Sequence, residues 1–500
     1  MLGLKKNLLF VAYLFFNALL IGVLLFLEHG YMIVGLFVAG GHLRDVISVG
    51  YQLLNMEEML RSCPDVPQGD ARTICCLVPV YNEEPSMLRR NLDALTTQKL
   101  SANTKVVVLL IFDGIAECNE ELFDSIVGAV DLDTNGVGCG EEQWFQHWKS
   151  KLITKLVYKV GTFNGTPVII SYKEENHGKK DSLFIGEYFI TLAIPRIESL
   201  CVPRVDFIYH TDGDTIPDEN CLNEMLKSLV DDADLDGVSG LLRTYLKADA
   251  SCTERAFVVM QDFQYFFSIM VRRATESLLS STTCLPGCAN MIRVGDRTNV
   301  AIEKYGNLPA DEGSLVQTVT RMQGTDRRYT TLLLRQGSKL RMNWRASVRT
   351  EPPLCATSFV NQRRRWSSNS FFNSMIVLYS DNIPIYIKAS TLIDVIRVFT
   401  TLFCFISYFC FWIYINKFSL VNLLFLSFFI ALPYLYAFVW IFCIVREWKS
   451  MLVGFFLNKV FVPFLSVVAV TKMFLTSTNF AWGSTTSGVR RLTPPEPVSG

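Results

Sequence analysis

Three short constellations carry residue types at spacings that could do chemistry. Asp212-Gly213-Asp214 follows the apolar run Phe207-Ile208-Tyr209. Carboxylates two apart on extended chain project to the same side, and Gly213 leaves room for close approach. Hard oxygen ligands paired in this way suit Mg²⁺ or Mn²⁺ held together with a diphosphate. The plainer alternative is a turn closed by an Asx hydrogen bond. Asp326, in Gly324-Thr325-Asp326-Arg327, could serve as a general base, which needs an ionised carboxylate beside a hydroxyl. It could equally start a helix that Gly337 ends, and Asp311-Glu312 is a rival pair for the base. Gln362-Arg363-Arg364-Arg365-Trp366 offers guanidinium groups to clamp a diphosphate and a flat indole face for a sugar ring. Lying before Phe371-Phe372 and Met375-Ile376-Val377-Leu378, the same cluster also reads as a patch that touches lipid headgroups.

Such groups act together only if a scaffold brings them to one edge. Thr73–Val80 reads as a buried strand ending in Tyr81-Asn82-Glu83-Glu84, and Lys105–Phe112 as a second ending in Asp113-Gly114. A third, Asp206–Tyr209, leads into Thr211 to Asp214. Pro85–Thr97 is helical by its apolar Met87, Leu88, Leu92 and Leu95, as are Leu183–Leu192 and Cys221–Leu229. This alternation predicts a mostly parallel sheet with ligands at the carboxyl ends of its strands. Residues 70–350 are enough for their own core. Val130–Gly140, rich in Gly and Asp, reads as a loop.

The rest of the chain is built for lipid. Of 500 residues, 50% are apolar and 36 are Phe, which excludes disorder and small disulfide-stapled classes. Lys plus Arg balances Asp plus Glu at 47 each, so no global field recruits nucleic acid. The fourteen cysteines form no CxxC pair and there are five histidines, little to build a zinc site from. They read as reduced thiols. Leu8–Leu27 is twenty residues without a charge, long enough to span. Tyr31–Gly40 soon meets His42, Arg44 and Asp45, so it opens a polar second span or lies at the interface. Val398–Ile415 and Phe418–Val445 are further charge-free runs. Met451–Thr471 carries Lys459 and Pro463, which favours a re-entrant or interfacial helix. Lys5 and Lys6 favour a cytoplasmic N-terminus.

Taken in order, these motifs resemble the processive family-two glycosyltransferases, and among them the chitin synthases, over about residues 73–484. Cellulose and hyaluronan synthases usually show a looser QxxRW than the QRRRW at 362–366. GTDRRYTTLLLRQG at 324–337 is similar to the chitin synthase GEDR segment and its helix, and HGKKDSL at 177–183 and CLPGC at 284–288 are also chitin synthase-like. Two departures stand out: Thr325 replaces the family's Glu, and Trp482-Gly483-Ser484-Thr485 lacks the usual following basic residue until Arg490.

The resemblance implies an α/β, GT-A-like cytosolic domain between N-terminal and C-terminal transmembrane helices, with amphipathic interface helices. The expected layout is an N-terminal membrane segment and linker at 1–69 and the transferase domain at 70–352. Interface helices with QRRRW follow at 353–390, channel-forming membrane helices at 391–475, and a gating loop and tail at 476–500. Tyr81, Glu83 and Asp113 would hold uracil and ribose, with Lys179 supporting the nucleotide. Asp212 and Asp214 would bind diphosphate and metal, Asp214 as main ligand of Mg²⁺ or Mn²⁺. Asp326 would be the base, which demotes Asp311-Glu312. Gln362, Arg365 and Trp366 would seat the acceptor end and the diphosphate, Pro286 and Gly287 would lie near the acceptor, and Trp482, Gly483 and Ser484 would gate. The implied activity is inverting transfer of N-acetylglucosamine from UDP-GlcNAc onto a growing chitin chain, exported through the protein's own channel in a lipid bilayer. No nucleic-acid partner is expected, and a homo-oligomer is left open. A hyaluronan synthase, or an inactive membrane scaffold, is the alternative.

Overall fold

The computed structural model describes residues 2–26, 30–67, 69, 71–114, 120–132, 139–146, 153–173, 176, 178–306, 314–323 and 325–477. Among them, eleven strands form one sheet. They are β1 (Arg72–Val80), β2 (Thr104–Asp113), β3 (Asp131–Leu132), β4 (Cys139–Gln146), β5 (Ile153–Phe163) and β6 (Thr166–Lys173). The rest are β7 (Phe207–His210), β8 (Thr215–Pro217), β9 (Leu235–Thr244), β10 (Asn290–Arg293) and β11 (Lys339–Thr350). Their order is β3-β5-β6-β2-β1-β7-β10-β9-β11-β8, with β4 paired to β5.

The centre is parallel as expected: β1 runs with β2 on one side and β7 on the other, and β2 with β6. Register sets Val80 opposite Phe112 and Leu77 opposite His210, so three polar strand ends share one edge. The flanks correct the expectation of a mostly parallel sheet. β10 is antiparallel to both β7 and β9, β5 to β6, and β8 to β11. Val130–Gly140 is not all loop either, since β3 and the start of β4 fall within it. Strand β1 is buried on both sides, its Cys76, Val78 and Val80 facing one core and Cys75 and Leu77 the other. That is why it reads as a continuous apolar run rather than an alternation.

Apolar helices lie near both ends. Leu2–Phe26, Gly30–Leu54, Leu420–Ile444 and Trp448–Thr476 are each long and apolar enough to cross a membrane. Ile385–Phe399 and Thr401–Ile413 pass the same test as a pair, bent by 77°. The re-entrant expectation for Met451–Thr471 is therefore replaced by a continuous 29-residue helix. The Lys459 ammonium lies against Tyr434, bonding its hydroxyl and covering its ring, so the charge is held by a neighbouring helix.

The polar second half of Gly30–Leu54 has a comparable explanation. Asp45 is 1% exposed and accepts from Arg272 Nε and Nη2, at 2.7 and 2.9 Å. Arg44 bonds Asp394, and Gln52 donates to the Val271 carbonyl and Thr275 hydroxyl at 2.8 Å each. This half docks on the helical segment 252–278, which itself packs on the sheet. Asp45→Ala leaves the half-buried Arg272 without its partner, and should destabilise the chain by less than the about 3–5 kcal/mol that breaking a fully buried pair costs. Thermal unfolding in detergent reads this directly, and a wild-type midpoint would refute the load placed on the pair.

Candidate active site

The shared strand edge collects the polar groups. After β1, Glu83 turns back to accept from the Tyr81 amide at 2.7 Å. A Cβ on Gly213 would stand 3.1 Å from Glu83 Cγ, so the two loops approach closely there and a larger residue would make Glu83 give way. After β7 come Asp212 and Asp214. Asp214 Oδ1 lies 3.4 Å from the hydroxyls of Thr215 and Thr350. Burial first, then the charges of Asp212 and Glu83, push the Asp214 carboxyl up to about 8, with Lys179 pulling the other way and Glu351 adding a little. Glu83 is also raised, by burial and then by Asp212, against the Tyr81 amide and Lys179. Clustered carboxylates that raise one another make a site for positive charge.

One cation from the chain already serves it. Lys179, directly after the positive-φ Gly178, forms an ion pair with Asp212. Burial acts to lower its pKa, but Asp212 and Asp326 outweigh this and raise it. Asp326 is the first residue of helix Asp326–Arg335, and Gly337 (φ +79°) follows its end, so its helix-start and site readings hold together. Its Oδ2 accepts from the Gly287 amide at 3.1 Å and its Oδ1 from the Thr325 hydroxyl. Burial pushes this carboxyl up, yet Lys179, Thr325 and Gly287 together hold it below the usual range. Thr325, the departure noted above, thus supplies a donor to Asp326. A Cβ on Gly287 would lie 3.6 Å from both Asp326 Cγ and Lys179 Nζ, so Lys179, Gly287 and Asp326 meet at one point.

Asp113 sits differently from the others. At 3% exposed it pairs with Lys173 at 2.9 Å and accepts from the Gly178 amide at 2.7 Å. It therefore anchors the turn that presents Lys179. Helix Ala356–Leu378 carries the QRRRW cluster. Trp366 is 42% exposed, and the Arg363 guanidinium lies 4.3 Å from its ring centre while also covering Tyr265 and Phe359. Gln362 Oε1 is buried with no partner among the described residues. Burial and then the Arg364 charge lower the Arg365 pKa, and the Asp326 charge opposes them. Arg364 donates to the Thr476 hydroxyl at 3.1 Å and Lys472 to Asn361 at 2.8 Å, lashing this helix to Trp448–Thr476. Trp482, Gly483 and Ser484, like Asp311 and Glu312, lie outside the described residues.

Sequence reasoning missed Glu351 and Lys247. Glu351 follows β11 as Asp113 ends β2, so the strand-end rule could have found it. Lys247 bridges Glu84 and Glu351 at 2.8 and 2.9 Å, closing one rim of the edge. Among the described residues no three His, Cys, Asp or Glu groups are arranged to hold a metal by themselves. Asp212 and Asp214 instead fit the mode in which one or two carboxylates share a hard cation with substrate phosphates.

A family model described as chitin synthase matches residues 179–491, more than half of the chain. Chitin synthase 8 of Gibberella zeae is 24% identical over 457 residues, covering 83% of this chain and 66% of that protein. Chitin synthase csmA of Emericella nidulans is 27% identical over 352 residues, 62% of this chain and 18% of that protein. The chain thus spans about two thirds of the first relative's length and under a fifth of the second's. Among solved structures, the mannosyltransferase PcManGT of Pyrobaculum calidifontis, in complex with GDP-Man and Mn²⁺, is 14% identical. It covers 86% of this chain and 99% of its own with a TM-score of 0.45, an overlap too loose to fix fold or chemistry. On the family-model match and these relatives, the chain belongs to the chitin synthase family.

Proposed function

We propose that this protein is a membrane glycosyltransferase that polymerises N-acetylglucosamine from UDP-GlcNAc into β-1,4-linked chitin, with its transferase domain facing the cytosol. The observation that carries the reading is the meeting of Asp326, Gly287 and Lys179 beside Asp212-Gly213-Asp214. Asp326, held ionised by its donors, takes the proton of the acceptor 4-hydroxyl. That oxygen forms a bond to the donor's anomeric carbon from the face opposite UDP. The carbon–oxygen bond to UDP breaks with its electron pair, and the α-linked donor becomes a β-linked unit. Lys179 offers positive charge to the departing diphosphate, and Arg365 with Gln362 and Trp366 seats the acceptor end. Tyr81 and Glu83 line the nucleoside side, and Asp113 acts through the Gly178 turn. Asp212 and Asp214 would hold Mg²⁺ or Mn²⁺, which supplies charge to stabilise the leaving diphosphate. The lashing of the QRRRW helix to Trp448–Thr476 supports export of the product between the C-terminal helices.

The test is incorporation of labelled UDP-GlcNAc by the full chain in lipid, alone or with UDP-glucuronic acid, followed by chitinase or hyaluronidase digestion. A chitinase-sensitive polymer from the single donor is expected. A strict need for both donors would make the protein a hyaluronan synthase, and no product from protein that still binds UDP would overturn the enzyme reading. In sealed vesicles the polymer should gather on the side away from the donor.

A further inference from the structure

Behind Asp326, four buried polar side chains close a ring that the reaction as written does not use. His210 ends β7, is 4% exposed, and has Nδ1 at 2.9 Å from Asn290 Oδ1. Asn290 opens β10 and donates from Nδ2 to the Pro286 carbonyl at 2.7 Å, so its Oδ1 accepts and His210 donates. The other imidazole nitrogen stands 3.1 Å from Glu187 Oε1, an ion-pair contact outside hydrogen-bond geometry. Glu187, also 4% exposed, accepts at Oε2 from the Tyr329 hydroxyl at 2.9 Å. Tyr329 stands one turn beyond Asp326, its amide donating to the Thr325 carbonyl at 3.0 Å. From Pro286 the next residue, Gly287, donates to Asp326 itself. The path leaves Asp326 through Gly287 and returns through Tyr329.

A buried polar ring of this kind is a poor device for stability alone, because apolar side chains of similar volume often serve as well or better. Its geometric effect is specific. It ties the end of β7, which leads into Asp212 and Asp214, to the Pro286-Gly287 turn and to the helix that Asp326 begins. We infer that Glu187, His210 and Tyr329 are positioning residues that fix the Asp326 carboxylate relative to the diphosphate loop. The inference rests on the reading of Asp326 as the base.

The experiment uses the full chain in lipid nanodiscs, with turnover on UDP-GlcNAc and UDP affinity in Mn²⁺ measured for each variant. Misplacing a reacting group by about 1 Å can lower a rate by ~100-fold, so Tyr329→Phe and Glu187→Ala should lower kcat by roughly 10- to 100-fold. UDP affinity should stay within about two-fold, because the ring touches the base side and not the nucleoside side. Glu187→Gln should regain most of kcat, since its amide can accept from Tyr329 and donate to the imidazole. Tyr329→Phe removes one oxygen and keeps the ring packing, so it reports even if Glu187→Ala misfolds. Wild-type kcat in Tyr329→Phe, or a parallel loss of UDP affinity, would overturn the inference. Asp326→Asn with wild-type turnover would instead remove the base itself, a result distinct from either.

Discussion

Asp326→Asn should lower polymer synthesis by about 10²- to 10⁴-fold, the range that a positioned general base contributes, while UDP binding holds at its wild-type level. The substitution keeps the shape of the side chain. Its amide oxygen can still accept from Gly287 or Thr325, so the helix start should stay in place. Lys179 loses one carboxylate neighbour but keeps its ion pair with Asp212, so the diphosphate side is little disturbed. What disappears is the ability to take a proton. The pH dependence follows from the same surroundings. Burial raises the Asp326 carboxyl, but Lys179, Thr325 and Gly287 more than compensate and hold it low. The base is then ionised throughout the neutral range and is lost only as pH falls through that lowered value, beneath the ordinary carboxylate value of ~3.9. Any loss of rate nearer neutrality must come from another group. Labelled-donor incorporation beside UDP titration measures both halves, and substantial polymer from Asp326→Asn would refute the assignment.

Much of this site was legible because its parts are local. A strand buried on both faces must be apolar along its length, so β1 and β2 announce themselves, and the first polar residues after each mark the sheet edge. Asp326 was legible as a helix start, with Gly337 marking the end, while its role as base came from the resemblance of its segment. The antiparallel strands were not, since β10 is four residues whose direction is set by its neighbours β7 and β9 and not by its own composition. Lys459 misled, and Asp45 left the second run undecided, for a related reason. Each looks like a charge that lipid would reject, and each is satisfied by a residue distant in sequence, Tyr434 for one and Arg272 for the other. Glu187 and His210 left no local signal at all. A single polar residue in an apolar element acquires meaning only when its partners, as far as 80 or 142 positions away, arrive beside it.

Asp214→Ala should abolish most of the cation dependence of UDP binding. Asp214 stands where burial and the charges of Asp212 and Glu83 all resist its ionisation, and its carboxyl is pushed up to about 8. Lys179 offsets part of that repulsion, but it is already paired with Asp212 and drawn toward Asp326. Removing Asp214 therefore leaves the Asp212-Gly213-Asp214 turn with a single carboxylate, already paired with Lys179, to share a divalent ion with the diphosphate. Loss of a partner that merely orients a metal ligand weakens metal affinity by about 10- to 100-fold, so loss of the ligand itself should weaken it by at least ~100-fold. In nanodiscs, wild-type protein should bind UDP more tightly with Mn²⁺ than with chelator, and Asp214→Ala should bind alike in both. Asp326→Asn, tested beside it, should retain the wild-type difference, because the base lies on the acceptor side of Lys179. A full Mn²⁺ effect in Asp214→Ala would move the ligand role to Asp212 alone. The two variants thus divide the site along Lys179, one losing the donor's diphosphate and the other the acceptor's proton.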